Sequence, residues 1–133
     1  MKTITLAKLD RQYANNGQEA ERIFRYTLTG EIAKADNLPH NLGADCLNYQ
    51  VKSARATVCR GTDLEAYLAT DKATEFAYVN ADFTTAYIMN KAEYTEFVRQ
   101  FGTVTTESAK NGGHRKIRLK TEGKEMREWL ARA

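Results

Sequence analysis

The chain has 133 residues, of which 42% are hydrophobic and 28% are charged, and its formal net charge is +3. This size suits one domain with a single core, and the composition is that of an ordinary globular protein without low-complexity tracts or internal repeats. No apolar run approaches the roughly 18 residues of a membrane-spanning helix, and the first residues lack a secretory hydrophobic region, so we expect a cytoplasmic protein without a membrane partner.

The charges are distributed unevenly along the chain. Residues 1–60 carry nine Lys and Arg against six acids, residues 61–108 carry three against eight, and residues 109–133 carry eight against three. A fold that joins the first and last segments would present a basic face suited to a polyanion. The two cysteines, Cys46 and Cys59, lack a metal-binding spacing, and neither a disulfide nor a structural zinc site is expected.

The first elements are a short strand or turn within residues 3–13 and a helix from Gln18 to about Ala35. Apolar positions recur at helical spacing in that helix, at Ala20, Ile23, Phe24, Thr27 and Leu28. Glu21 lies at the border of this stripe, where its carboxylate can reach toward a site. Glu19 falls on the polar side, and Arg22 is interpreted as a solvated or phosphate-facing residue.

A loop over residues 36–44 leads to Asp45, and residues 49–59 form a predicted long strand. Because side chains alternate along a strand, Gln50 and Lys52 point to the same face, about 7 Å apart. The amide oxygen is a ligand type that hard cations accept, and the ammonium can bind a phosphate beside it. A reversal at Leu47-Asn48 would place Asp45 directly opposite Gln50, and a looser bend is an equal alternative.

Local signals divide the rest of the chain into short elements. Thr62 to Glu65 and Asn90 to Glu93 have the capping-box pattern that opens a helix. The remaining predicted elements are strands over residues 75–80 and 84–90 with a turn at 81–83, a helix ending at Gly102, a hairpin of strands 103–106 and 115–120, and a last helix capped by Thr121.

The late strand of that hairpin carries a row of basic residues. Ile117 and Leu119 face inward, whereas Lys116, Arg118 and Lys120 face outward. We expect this row to contact nucleic-acid phosphates, together with Arg55 and Arg60, which flank the earlier predicted strand. The alternative is a solvated strand edge that its charges protect from aggregation.

The arrangement of Asp45, Gln50 and Lys52, with Glu21 on a preceding helix, resembles the PD-(D/E)xK nuclease superfamily. The resemblance covers the order of elements from about residue 18 to residue 132, and Gln50 stands where the family usually has Asp or Glu. It implies one α/β nuclease-like domain over residues 1–133, with a restriction endonuclease-like central mixed sheet flanked by helices.

The resemblance also implies a function, a metal-dependent DNA endonuclease. Asp45, Gln50 and Glu21 would hold Mg²⁺ or Mn²⁺, and Lys52 would orient the attacking water or stabilise the developing charge. Asp36 is the alternative acid to Asp45. Cutting both strands of a duplex would require a homodimer or two binding events.

Two other classes of function stay open at this point. The chain could be a nucleic-acid-binding protein with an inactivated nuclease fold. In that case Gln50, which replaces an acid, would reflect the loss of metal affinity. It could also be a structural or inhibitory protein that binds another protein through its acidic middle segment. Divalent-dependent cleavage separates the nuclease from both, and salt-dependent DNA binding separates the second class from the third.

Overall fold

In the computed structural model, residues 1–31 and 48–132 are described, and their strands divide between two sheets. The elements in chain order are β1 (Lys2–Thr5), α1 (Asn16–Thr29), β2 (Tyr49–Ser53), β3 (Thr57–Arg60), α2 (Leu64–Thr70), β4 (Glu75–Val79), β5 (Thr85–Met89), α3 (Lys91–Phe101), β6 (Gly102–Thr106), β7 (Arg115–Leu119) and α4 (Lys124–Ala131).

The first sheet has the strand order β1-β5-β4-β2 and is mixed, because β2 runs parallel to β4 while the other pairs are antiparallel. The second sheet has the order β3-β7-β6 and is antiparallel throughout. The predicted α/β domain with a mixed sheet is therefore confirmed. The second sheet was not predicted, and it separates β3 from β2.

The first sheet buries both of its faces. Helix α1 covers one face, and the cluster there comprises Leu6, Ala20, Ile23, Phe24, Val51, Ala77, Val79, Ala86 and Ile88. The other face packs against α3, α4 and the second sheet through a cluster that includes Phe76, Tyr78, Met89, Tyr94, Phe97, Leu119, Met126 and Leu130. Strand β4 lies between β5 and β2, and its side chains enter the two clusters alternately. This pattern is typical of a strand buried on both faces.

Several local predictions are confirmed. The side chain of Asn90 accepts from the Glu93 N–H, and the Glu93 carboxylate accepts from the Asn90 N–H, so the predicted capping box opens α3. Strands β6 and β7 form the predicted hairpin. Ile117 and Leu119 are buried in the core as expected, whereas Lys116 is half-buried on the opposite side.

The boundaries of three helices differ from the predictions. Helix α1 ends at Thr29, not near Ala35. Gly30 ends it because this residue adopts a left-handed φ of 74° and its N–H donates to the Tyr26 carbonyl. Helix α2 is capped by Asp63, whose carboxylate accepts from the Ala66 N–H, and not by Thr62. Thr121 does not cap α4, which begins at Lys124.

The predicted long strand over residues 49–59 is wrong. Strand β2 stops at Ser53, a turn follows, and β3 starts at Thr57 in the other sheet. Arg55 in the turn has a φ of 67°, which is incompatible with an extended strand. A register shift between Thr57 and Cys59 then breaks the alternation of β3, so both Val58 and Cys59 are buried.

None of the helices within the described ranges combines the length and the apolar character that crossing a membrane requires.

Candidate functional site

The motif strand β2 presents Gln50 and Lys52 on one face of the first sheet. In the parallel register, Gln50 lies beside Phe76 and Lys52 beside Tyr78, whereas Val51 lies beside Ala77. Phe76 and Tyr78 belong to the cluster on the side of the second sheet. Gln50 and Lys52 therefore face the second sheet, in agreement with the predicted alternation.

Helix α1, which carries Glu21, lies on the other face of the same sheet. Its buried residues share a cluster with Val51, and the ring of Phe24 contacts Tyr49 edge-on at 5.1 Å between centroids. Glu21 is half-buried on this helix. The first sheet thus lies between the Glu21 helix and the face that bears Gln50 and Lys52.

The ammonium of Lys52 is held at the start of β3. Its Nζ donates to the Thr57 carbonyl at 3.0 Å. Lys52 therefore bridges the two sheets from β2 to β3.

The charge of Lys52 also acts on the neighbouring Cys59. Burial raises the pKa of the Cys59 thiol, and the hydrogen bond with the Ile117 backbone and the positive charge of Lys52 partly oppose that rise.

The predicted metal acids cannot be placed, because Asp45 and its alternative Asp36 lie outside the described residues, as does Leu47 of the predicted reversal. Within residues 1–31 and 48–132, no three His, Cys, Asp or Glu side chains converge in a way that could hold a metal ion. The part of the ligand set that is described, Glu21 and Gln50, is split between two faces of a sheet. The described residues alone therefore do not fit Mg²⁺ or Mn²⁺.

The outer face of the second sheet gathers basic residues that are distant in sequence. Arg60 lies directly opposite Lys116, and Arg118 lies opposite Thr57. Because paired residues share a face, this side of the sheet bears alternating Arg, Lys and Thr side chains. We call it the basic face and define it as Thr57, Arg60, Thr103, Thr105, Lys116 and Arg118.

The other two predicted phosphate contacts adjoin the basic face. Lys120 is exposed directly after β7, on the side to which alternation assigns Lys116 and Arg118. Arg55 is exposed in the β2–β3 turn, and its carbonyl accepts from Arg118 Nε at 2.6 Å. All five predicted phosphate contacts thus lie on or beside the β3–β7 pair.

The Arg60–Lys116 pair places two like charges directly across from each other, an arrangement that destabilises a sheet. One carboxylate compensates in part, since Arg60 Nη2 lies 3.1 Å from Glu107 Oε2. The same guanidinium nitrogen donates to the Asn111 carbonyl at 3.2 Å. The side chain of Arg60 is nevertheless 61% exposed, so its charge is open to solvent and to a ligand.

A polar cleft of about 380 Å³ continues from the basic face. It lies between the start of α1 and the β2–β3 turn. Its lining consists of Asn15, Asn16, Gly17, Arg118 and the five residues from Ser53 to Thr57. Two arginines, Arg55 and Arg118, are therefore shared by the cleft and by the predicted phosphate contacts.

The interpretation of Glu19 and Arg22 as surface residues is wrong. Both are buried, and Arg22 Nε lies 2.9 Å from Glu19 Oε1. Burial opposes ionisation of Glu19, but hydrogen bonds from Arg22 and from the backbone N–H groups of Gln12 and Tyr13 outweigh it, so the pKa of Glu19 is lowered. The pair fastens the segment before α1 onto the helix and is not part of the basic face.

Comparisons with known proteins find no match to this chain among family models, curated proteins or solved structures.

Proposed function

We propose that the protein binds nucleic acid through phosphate contacts on the basic face. The observation that carries the proposal is the β3–β7 register, which sets Arg60 beside Lys116 and Arg118 two residues further along β7 on the same face. The two strands come from segments more than 50 residues apart in sequence. Their pairing joins the basic first and last segments, which is the condition under which the charge distribution gives a basic face.

The spacing of the charges suits a phosphate backbone. Lys116 and Arg118 are two strand steps apart, roughly 7 Å, and neighbouring strands lie about 4.8 Å apart. The exposed hydroxyls of Thr57 and Thr103 lie beside Arg118 and can donate to phosphate oxygens. Contacts of this kind fix position on a backbone without reading its sequence, so we propose binding with little sequence preference.

The test measures the salt dependence of binding to labelled duplex, branched and single-stranded oligonucleotides by fluorescence anisotropy. Each phosphate contact contributes about 0.9 to the slope of log affinity against log salt for duplex DNA. Replacing Lys116, Arg118 and Lys120 together by Ala should flatten the slope by about two to three. An unchanged slope with unchanged affinity would remove this strand from the interface.

A matched control changes three exposed lysines outside the second sheet, Lys2, Lys8 and Lys72, to Ala. It lowers the net charge by the same amount. If both triple variants flatten the slope equally, binding depends on net charge and the basic face has no special role.

The second candidate function is metal-dependent endonuclease activity, and the observation that favours it is the shared face of Gln50 and Lys52 next to the second sheet. We propose that Asp45, or alternatively Asp36, completes this site. The test is incubation of plasmid, branched and single-stranded DNA with Mg²⁺ or Mn²⁺, in which nicked and linear products show how many strands are cut.

Calorimetric titration with Mn²⁺ separates the roles in that candidate site. Gln50→Glu adds a negative charge at nearly constant shape and should raise metal affinity. Asp45→Ala should remove most metal binding, and Lys52→Ala should spare binding but abolish turnover. Loss of cleavage in Asp36→Ala with retention in Asp45→Ala would reverse the choice of acid. If the wild-type protein binds no divalent ion at millimolar concentration even with DNA present, the endonuclease proposal fails, whereas phosphate binding by the basic face is unaffected.

A further inference from the structure

Strand β6 leaves the second sheet with an unprotected edge among the described residues. It is the last strand in the order β3-β7-β6. Proteins usually protect such edges with Lys, Pro or a bulge, but Gly102–Thr106 contains neither residue and keeps an unbroken register with β7. Among the described residues, Val104 is the large hydrophobic residue that is exposed to solvent, at 47%.

The hydrogen bonds between β6 and β7 show which backbone groups of β6 point to the open side. The Lys120 N–H donates to the Phe101 carbonyl and the Glu107 N–H donates to the His114 carbonyl, both at 2.8 Å. In an antiparallel ladder every second residue is bonded to the neighbouring strand, so the backbone N–H and C=O groups of Thr103 and Thr105 also point toward β7.

The N–H and C=O groups of Val104 and Thr106 therefore point away from β7. The carbonyl of Gly102 does the same, while its N–H is used by the Val98 carbonyl at the end of α3. The open edge thus offers two donors and three acceptors, spaced symmetrically about Val104.

We propose that two copies of the chain pair their β6 strands antiparallel, about a two-fold axis through Val104. The backbone N–H of Val104 then donates to the carbonyl of the partner's Val104, and the Val104 carbonyl accepts from the partner's N–H. Thr106 N–H donates to the carbonyl of the partner's Gly102, and the reverse bond forms by symmetry. This register satisfies every outward donor of the strand, and it is the one in which residue 104 opposes itself.

The side chains fit the same register. Val104 shares a face with Ile117 and lines a cleft of about 250 Å³ with Leu64 and Val98, so two valines facing each other across the axis continue an apolar surface. On the opposite face, Thr105 comes to lie beside the partner's Thr103. Opposed Cβ atoms are about 5 Å apart, so these two threonines pack against each other across the axis.

A second copy suits this edge better than an unrelated peptide, because the pattern of donors and acceptors is complementary to itself. The axis is perpendicular to the sheet, so the basic faces of both copies lie on the same side. The two β7 rows are then separated by three strand spacings, roughly 14 Å. Pairing of one short strand buries little surface, so the dimer should be weak and concentration-dependent.

The experiment is sedimentation equilibrium without nucleic acid, so that its outcome is independent of the proposed binding function. We expect the wild-type protein to pass from monomer to dimer as its concentration rises through the micromolar range. Val104→Pro removes the outward N–H without removing a bond to β7 and should raise the dimer Kd at least about tenfold. Val104→Thr keeps the backbone donors and the branched shape and should change Kd much less.

Cysteine cross-linking tests the register. Because opposed hydrogen-bonded residues have Cα atoms about 5.5 Å apart, Val104→Cys should form an intermolecular disulfide on mild oxidation. Thr106→Cys does not oppose itself and should not cross-link, and the wild-type protein controls for its native cysteines. The Val104→Cys variant also tests the proposed pairing if Val104→Pro fails to fold.

Three results would overturn the proposal. The first is a protein that stays monomeric over the whole concentration range. The second is a dimer that Val104→Pro leaves unchanged and Val104→Cys does not cross-link, since another surface must then hold it. The third is a monomer whose β6 edge binds only an extended peptide of different sequence.

Discussion

Replacing Lys116 by glutamine should weaken nucleic-acid binding and, at the same time, stabilise the free protein. Lys116 faces Arg60 directly across the β3–β7 pair. The repulsion between these two cations is present in the free protein and is relieved when a phosphate lies between them. Removing one cation therefore relieves the repulsion permanently, and under the proposed function it also removes one phosphate contact.

Coulomb's law sets the size of the stability gain. Two unit charges about 6 Å apart in water repel by roughly 0.7 kcal/mol, and salt at 0.15 M screens part of this. Glu107 also neutralises part of the Arg60 charge, at 3.1 Å. We therefore expect Lys116→Gln to raise the free energy of unfolding by a few tenths of a kcal/mol, on the order expected for a pair at the surface.

The loss of binding depends on salt. One phosphate contact is worth about 0.9 in the log–log slope, so the affinity ratio of wild type to Lys116→Gln should fall about 3.5-fold between 50 and 200 mM salt. Fluorescence anisotropy measures this ratio, and urea unfolding measures the stability. Lys72→Gln, at an exposed position outside the second sheet, is the matched control. The reasoning fails if Lys116→Gln destabilises the protein, or if its salt slope equals that of the control.

Further predictions concern the stability of the fold, measured by urea unfolding. Glu19→Leu leaves the Arg22 charge buried and should cost about 3 to 5 kcal/mol, part of which the double variant with Arg22→Leu recovers. Because the folded pKa of Glu19 lies below its ordinary value of 4.5, this carboxylate stabilises the fold above that pH, and the contribution is lost as the pH falls through the folded pKa. Tyr78→Phe removes the hydroxyl that donates to Glu122 at 2.7 Å and should cost about 1.5 to 3 kcal/mol. Asn90→Ala removes the cap of α3 and should cost about 1 kcal/mol.

The elements that could be predicted from sequence are those whose signals are local. The capping box at Asn90 and Glu93 involves four consecutive residues, and its geometry is the same in any fold. The alternation around Ile117 and Leu119 likewise needs only a half-buried strand. Such signals placed α3, β4, β5 and the β6–β7 hairpin close to their observed positions.

The burial of Glu19 could not be inferred in the same way. A helical wheel assigns it to the polar side, and only the segment before α1 changes that environment. The backbone N–H groups of Gln12 and Tyr13 point at the carboxylate, and the Asp10 carbonyl accepts from Arg22 at 2.6 Å. The opposite charges three residues apart gave a signal that the two side chains can meet, but it did not indicate burial.

The break after Ser53 has the greatest consequence for the proposed function, because it creates the basic face. Tyr, Val and Thr favour an extended chain, so the composition of residues 49–59 predicts one strand. The contacts that end β2 come from distant residues. Arg118 binds the Arg55 carbonyl, and the Leu119 N–H donates to the Ala56 carbonyl at 2.8 Å. A continuous strand would have kept Arg60 in line with β2, whereas the turn moves β3 beside β7 and brings Arg60 opposite Lys116. The same strand β7 thus ends β2 and completes the surface on which the proposed function depends.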